Sequence, residues 1–308
     1  MTTADWYRTF ATEQARGVSP AYEKLALLVS ADAEVLALLD TLPEPKRQPN
    51  LLFGVVRLLD GPTEPEPFRA FVHAQWPAIA AEMRVRATQT NEIGRCALLL
   101  PVLAALPQPL ALLEVGASAG LNLFPDKYSY RYGDHRLGDS GPVLDCVLTG
   151  APPPQRLPDV VWRAGIDLNP LDITDPADRS WLDALIWPEH DARRARLQTA
   201  AAIAAASPPR LVRGDLVDDL PALAANAPAN ATLVVFHTSV LYQVPAPRRA
   251  AFVDLVGTLP GHWISVERAL DHDGLPPAPA AGMHNVLALD GHPLAYTRSH
   301  GESLAWFG

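Results

Sequence analysis

The sequence predicts an α/β fold: an all-helical first third, residues 1–108, followed over residues 109–308 by a parallel sheet flanked by helices and closed by antiparallel strands. Three observations carry this. Up to Leu106, apolar residues recur at three-and-four spacing between proline-rich breaks, which is the helical period. After Pro107-Gln108-Pro109 the pattern changes to short β-rich apolar runs separated by alanine-rich helical text, the alternation of a parallel sheet with its crossover helices. Near the end, two extended runs flank Asp290-Gly291, a hairpin-turn dipeptide that makes the closing strands antiparallel.

The elements follow in order. AYEKLALLVSADAEVLALLDTL (residues 21–42) and FRAFVHAQWPAIAAEMRVRAT (68–88) carry the helical stripes of the first third. CALLLPVLAALPQPLALLEVG (96–116) is apolar throughout, but its three prolines divide it into a buried helix, a turn and a strand rather than a membrane span. Strands are expected at ALLEVG, VVWRAGIDL, RLVRGDL, ATLVVFHTS and HWISVE. Between the first two lies FPDKYSYRYGDHRLGDSGPVLDC, read as a hairpin insertion near residues 124–158 with Tyr128, Tyr130 and Tyr132 alternating onto one face. The helical run WLDALIWPEHDARRARLQTAAAIAAA supplies a crossover, its arginines reading as a solvated face.

Composition narrows the function. A net charge of −9 with only 19% charged residues gives no basic field to hold a phosphate backbone, so a small-molecule partner is expected rather than a nucleic acid or a membrane. Cys96 and Cys146 are too few for a disulfide framework and read as small buried apolar residues in a reducing cytoplasm. The opening MTTADWYRTFATEQARG lacks the basic-then-apolar order of a secretory signal, so the mature chain is expected to start there. His262, His272, His284, His292 and His300 have no metal-ligand spacing and read as surface or turn residues; no metal is expected.

The chemistry gathers at strand ends. Glu114-x-Gly116-x-x-x-Gly120 follows the first strand; glycines there let a ligand approach the backbone and expose the N-H groups of a following helix. The run RAGIDLNP ends the second strand on Asp167, where an acid can accept both hydroxyls of a ribose. The third strand ends Arg213-Gly214-Asp215; Asp215 suits either an adenine amino group or a helix N-cap. His237, after the fourth strand, lies where a substrate binds in open α/β sheets. It can accept a proton near neutrality or simply hydrogen-bond a neighbour. Tyr242 belongs to the same region, and Glu267 at the end of HWISVE is a weaker candidate for the same pocket.

Taken together, Glu114 to Gly120, Asp167 and Asp215 resemble the class I S-adenosylmethionine-dependent methyltransferases over roughly residues 110–308. That resemblance implies a Rossmann-like, doubly wound methyltransferase sheet with an antiparallel terminal strand and S-adenosylmethionine as cofactor. More narrowly, QPNLLFGVVRLL, TQTNEIGRCALLLPVLAAL and LLEVGASAGLNLFPDKY look like the bacterial domain-of-unknown-function 2332 family along nearly the whole chain. The comparison draws attention to Thr90-Asn91-Glu92-Ile93-Gly94-Arg95. Helix capping explains Thr90 and Glu92. Arg95, on the apolar side, wants a carboxylate, either the methionine carboxylate of the cofactor or Glu114, and Asn91 is placed beside it as a cofactor contact. Ser118 would offer its hydroxyl to the same carboxylate.

One spacing departs from the dinucleotide-fold pattern, in which the ribose acid follows the glycine turn by about 20 residues. Asp167 comes later, after the insertion; if YSYRYGD were the second strand, Asp134 would take its place. Two rivals are weaker. Gly116-x-Ser118-x-Gly120 also spells a nucleophile elbow, with Asp271 and His300 in acceptable order, but an elbow needs strand-helix units and an oxyanion loop before it and a helical third stands there instead. A nicotinamide enzyme wants glycine where Ser118 stands. A non-catalytic cofactor binder is the third alternative.

Overall fold

The computed structural model describes residues 1–269, 274–283 and 285–308. Along the chain run α1 (Thr3–Thr9), α2 (Pro20–Ala31), α3 (Ala33–Leu39), α4 (Pro49–Leu58), α5 (Pro65–Val85) and α6 (Cys96–Ala105), then β1 (Leu110–Val115). Next come β2 (Ser129–Tyr132), β3 (His135–Leu137), β4 (Val143–Asp145), β5 (Val147–Thr149) and β6 (Val160–Asp167). The remainder is α7 (Pro176–Ala184), α8 (Asp191–Ala206), β7 (Arg210–Arg213), α9 (Leu220–Ala224), β8 (Thr232–Thr238), α10 (Ala246–Val256), β9 (His262–Arg268), β10 (Asn285–Leu289), β11 (His292–Thr297) and β12 (Ser303–Trp306). The protein is thus a mixed α/β structure with a large central sheet.

Two compact units divide the chain. The first comprises residues 1–90 and 174–195, so α7 and the first turn of α8 join the N-terminal helices. The 21–42 run becomes two helices because Asp32, in an extended conformation, ends α2 and accepts from the N-H groups of Glu34 and Val35 to start α3. Phe53 of α4 sits at the centre, with the rings of Tyr7, Phe10, Tyr22 and Phe68 at centroid distances of 6.0, 6.0, 4.8 and 5.8 Å. All five are fully buried, and the edge-on geometry of most pairs is the one ring quadrupoles prefer. Glu189 secures the start of α2, accepting from Ser19 Oγ at 2.6 Å and from the Ala21 N-H at 2.9 Å.

The second unit comprises residues 91–173 and 196–308. It includes α6, which a sequence division at residue 108 assigns to the helical domain. The reason is composition: α6 is apolar all round, with eight of its residues buried, and such a helix must be covered on every side; it packs on β4 and β10. The sheet has nine strands in the order β5-β12-β11-β10-β9-β8-β1-β6-β7. From β7 to β9 every neighbouring pair is parallel. The chain lays down β1, β6 and β7 toward one edge, then returns to β8 and β9 on the other side of β1, so the order reverses between β1 and β8. The closing part is an antiparallel meander of β10, β11 and β12, with Asp290 and Gly291 at positive φ in the tight β10–β11 turn.

The expected insertion is a small sheet of its own, in the order β3-β2-β4, from which the chain leaves to place β5 beside β12. Because β2 lies in this small sheet, the strand beside β1 is β6, which ends on Asp167; Asp134 is exposed in the β2–β3 turn. No helix of the described residues is long and apolar enough to cross a membrane.

Candidate functional site

The carboxyl ends of β1, β6 and β8 meet where the strand order reverses, the place at which open α/β sheets leave a crevice. Chain geometry there is unusual. After β1 the backbone enters the left-handed region at Gly116, Ser118 and Gly120, with φ of 69, 50 and 70°. Glycine is required at the first for space as well as conformation, since a Cβ on Gly116 would lie 2.6 Å from Val240 Cγ2. Ser118 tolerates its φ at a cost, and three side-chain contacts hold the turn in that shape. The Ser118 N-H donates to Asp167 Oδ2 at 2.8 Å, Asn91 Nδ2 donates to Ser118 Oγ at 2.6 Å, and the Ala119 N-H donates to Asn91 Oδ1 at 3.2 Å. Asp167 Oδ1 takes the Asn169 N-H at 2.7 Å. Each carboxylate oxygen therefore has one backbone donor and retains acceptor capacity.

Glu114, at the end of β1, is 2% exposed. Its Oε1 accepts from Asn122 Nδ2 at 3.1 Å, while the buried Oε2 has no hydrogen-bond partner among the described residues. Burial raises its pKa from 4.5 to about 8, against the opposing pull of Asn122 and of the Arg95 charge. The turn thus has a largely protonated acid beneath it at neutral pH. Asn122 was not singled out by sequence reasoning; an amide between Leu121 and Leu123 in an otherwise apolar run was the available signal.

The expected helix after the turn is absent. Gly120 is followed by two single 3-10 turns, Leu121–Leu123 and Pro125–Lys127, and then β2. Pro125 explains it: the residue before a proline is pushed out of the helical region, and Phe124 accordingly adopts φ −115° and ψ 40°. The turn therefore leads into no α-helix N-terminus that could bind an anion, and the donors near it are those of the strained loop itself.

Other expected site residues are placed differently. Arg95 is buried and meets carbonyls and a hydroxyl: Nε donates to the Ser299 carbonyl at 3.0 Å, and Nη1 to the Thr238 carbonyl and Oγ1 at 3.0 and 3.1 Å. Asp215 closes the turn ahead of α9 rather than capping the helix, whose N-cap position is Asp219: it takes the Val217 N-H at 2.7 Å and pairs with Arg248. Burial works against the Asp215 charge, but the Val217 amide and Arg248 outweigh it and hold the pKa below the usual range. Glu92 caps a single 3-10 turn through the Gly94 N-H and lies 3.4 Å from Arg196 Nη2, so that arginine of α8 is not merely solvated.

His237 is fully buried and both ring nitrogens are engaged: Nδ1 with Glu267 Oε1 at 2.8 Å, and Nε2 with the Trp263 indole N-H at 3.0 Å. The indole can only donate, so Nε2 accepts and Nδ1 carries the proton. This corrects the expectation of a base facing the crevice. Tyr242 is 46% exposed, with Arg268 over its ring at 4.7 Å. Tyr128, Tyr130 and Tyr132 are buried and donate to the carbonyls of Leu121, Pro125 and Ala97. For the hydrolase rival, Ser118 Oγ is met by Asn91 rather than a histidine; Asp271, like His272 and His284, lies outside the described residues. Cys96 and Cys146 are buried free thiols.

Fold and site define a mixed α/β protein whose parallel strands reverse order at a strained glycine turn flanked by two acids. Within that class, the chain belongs to the family described as "Uncharacterized protein conserved in bacteria (DUF2332)", whose model matches residues 4–306. Neither a curated protein nor a solved structure matches it.

Proposed function

We propose that this chain binds S-adenosylmethionine at the turn 116–120 and is a methyltransferase acting on a small-molecule acceptor, its parallel strands forming the Rossmann-like half of that fold. The observation that carries the reading is the left-handed turn at the point where strand order reverses, next to an acid at the end of the adjacent strand. The order β7-β6-β1-β8-β9 with a following antiparallel strand supports it. The residues fit the group in two respects. Glu114 has a buried oxygen without a partner, which can donate its proton to a ligand acceptor or, once ionised, accept from a ligand cation, and Asp167 can accept a ribose hydroxyl beside its backbone bonds. The cofactor supplies an electrophilic methyl group on a sulfonium; the chain's part is to bind and align. With His237 engaged on both nitrogens, the acceptor is one that requires no proton removal by it.

A second reading, a cofactor binder without transferase activity, is favoured by that same sealed histidine and by the exposure of Tyr242. Thermal-shift measurements with S-adenosylmethionine, S-adenosylhomocysteine and NADH separate these possibilities from a different ligand class. A ligand at 100 times its Kd stabilises the fold by about 2.7 kcal/mol, so both sulfur compounds should raise Tm and NADH should not. No shift with either sulfur compound removes the proposal. Binding without methyl transfer to any member of a small-molecule acceptor panel favours the second reading.

A further inference from the structure

The group at the end of β8 has a purpose that a catalytic reading of His237 misses. Glu267 Oε1 accepts three hydrogen bonds: from His237 Nδ1 at 2.8 Å, from the Val240 N-H at 2.8 Å and from the Leu241 N-H at 3.0 Å. Trp263 holds the imidazole from the other side, and the rings of Phe252 and Trp263 pack on it at 5.5 and 5.9 Å. The histidine therefore has one tautomer and one orientation, and with it the carboxylate. The backbone that the carboxylate grips is not relaxed: Ser239, just before it, has φ 58°. Val240, whose N-H is held, places its isopropyl group over Gly116, where a Cβ would come within 2.6 Å of it.

We infer that Glu267, oriented by His237 and Trp263, is a positioning residue that acts through Val240 to hold the left-handed turn at 116–120 in its ligand-ready shape. The ligand's identity rests on the function proposed above; the mechanical link does not. A carboxylate gripping two successive amides fixes a loop more firmly than either bond alone, and a valine packed directly on a glycine transmits that placement because close-packed contacts leave no slack. His237 and Trp263 stand behind the carboxylate and touch no part of the turn in any hydrogen bond described.

Amide hydrogen exchange on the full chain tests the link without a ligand. In Glu267→Gln, which keeps the shape but weakens the grip, the Val240 and Leu241 amides should exchange about tenfold faster. The amides of Gly116 and Ser118, bonded to the Ile166 carbonyl and to Asp167, should accelerate with them. Val240→Ala, which leaves the Glu267 bonds in place, should accelerate the 116–118 amides alone and serves if Glu267→Gln folds poorly. Acceleration confined to 240–241 in Glu267→Gln, or an unchanged turn in Val240→Ala, overturns the inference. Calorimetry with S-adenosylhomocysteine adds a separate arm. If wild type binds it, both variants should bind it more weakly, and equal affinity in both again overturns the inference. If wild type does not bind it, the functional proposal fails, while the exchange result still decides the positioning role.

Discussion

β1 and β8 are neighbours in the sheet, both run into left-handed backbone, and their acids are used differently. At the end of β1 the backbone is strained and is held by side chains brought from elsewhere, while the acid beneath it, Glu114, keeps an oxygen without a partner. At the end of β8 one oxygen of Glu267, Oε1, takes three donors, His237 among them, inside an aromatic box and holds backbone in turn, while its buried Oε2, like that of Glu114, has no hydrogen-bond partner among the described residues. Both ends carry titratable residues. The difference teaches that a strand-end carboxylate serves the structure when several donors from the chain converge on it, as three do on Glu267, and is open to a ligand when a single amide meets it, as at Glu114.

Perturbing each end measures this contrast. The largest effect is expected for Gly116→Val, which combines a left-handed φ of 69° with a Cβ 2.6 Å from Val240 Cγ2. We expect a loss of about 4 kcal/mol from strain and overpacking together, measured by urea unfolding; a loss below that of an ordinary surface change would show that the two strand ends do not touch as described.

Next is Glu114→Gln. The folded chain keeps the Glu114 proton up to about pH 8, whereas the unfolded chain releases it near 4.5, so the folded state loses ground as pH rises through that interval. Glutamine removes the penalty. The variant should be more stable than wild type by about 3 kcal/mol at pH 7, with the gain fading toward pH 4.5, and it should bind S-adenosylhomocysteine less tightly. A stability difference independent of pH would contradict the buried, proton-holding Glu114.

Asp167→Ala removes the acceptor for the Ser118 and Asn169 amides. It should cost about 1 to 2 kcal/mol of stability and a larger factor in cofactor affinity, read by denaturation and calorimetry on the same sample. Smallest is Tyr242→Phe, half-exposed with Arg268 over its ring: a change within about 0.5 kcal/mol and unaltered binding are expected.

Much of the sheet was legible because each of its parallel strands is a β-rich run, and Asp290-Gly291 fixed the closing hairpin locally. What escaped the sequence depends on tertiary partners. Pro125 was visible, yet the loss of the helix after β1 shows only when Phe124's backbone is considered with it. Asp215 was readable as a helix cap or a ligand, but the turn it closes through Val217 and its pairing with Arg248 were not. His237 lies at a strand end in either account; the indole of Trp263, far along the chain but adjacent in the sheet, is what closes it. The alternating tyrosines were read onto one face, but their hydroxyls find carbonyls of α6 and of the segment after the turn, which no periodicity reveals. Glu114, Ser118, Asn91 and Asp167 are brought together as a group around the turn, although Asn91 meets Ser118 and Ala119 directly.

The central claim is that the β1 end is the ligand end. Titration calorimetry with S-adenosylhomocysteine on wild type and Asp167→Ala tests it most directly. The account predicts one-to-one binding in wild type and a marked loss of affinity in the variant at unchanged circular dichroism. Absence of heat in wild type, or equal affinity in the two proteins, would contradict it.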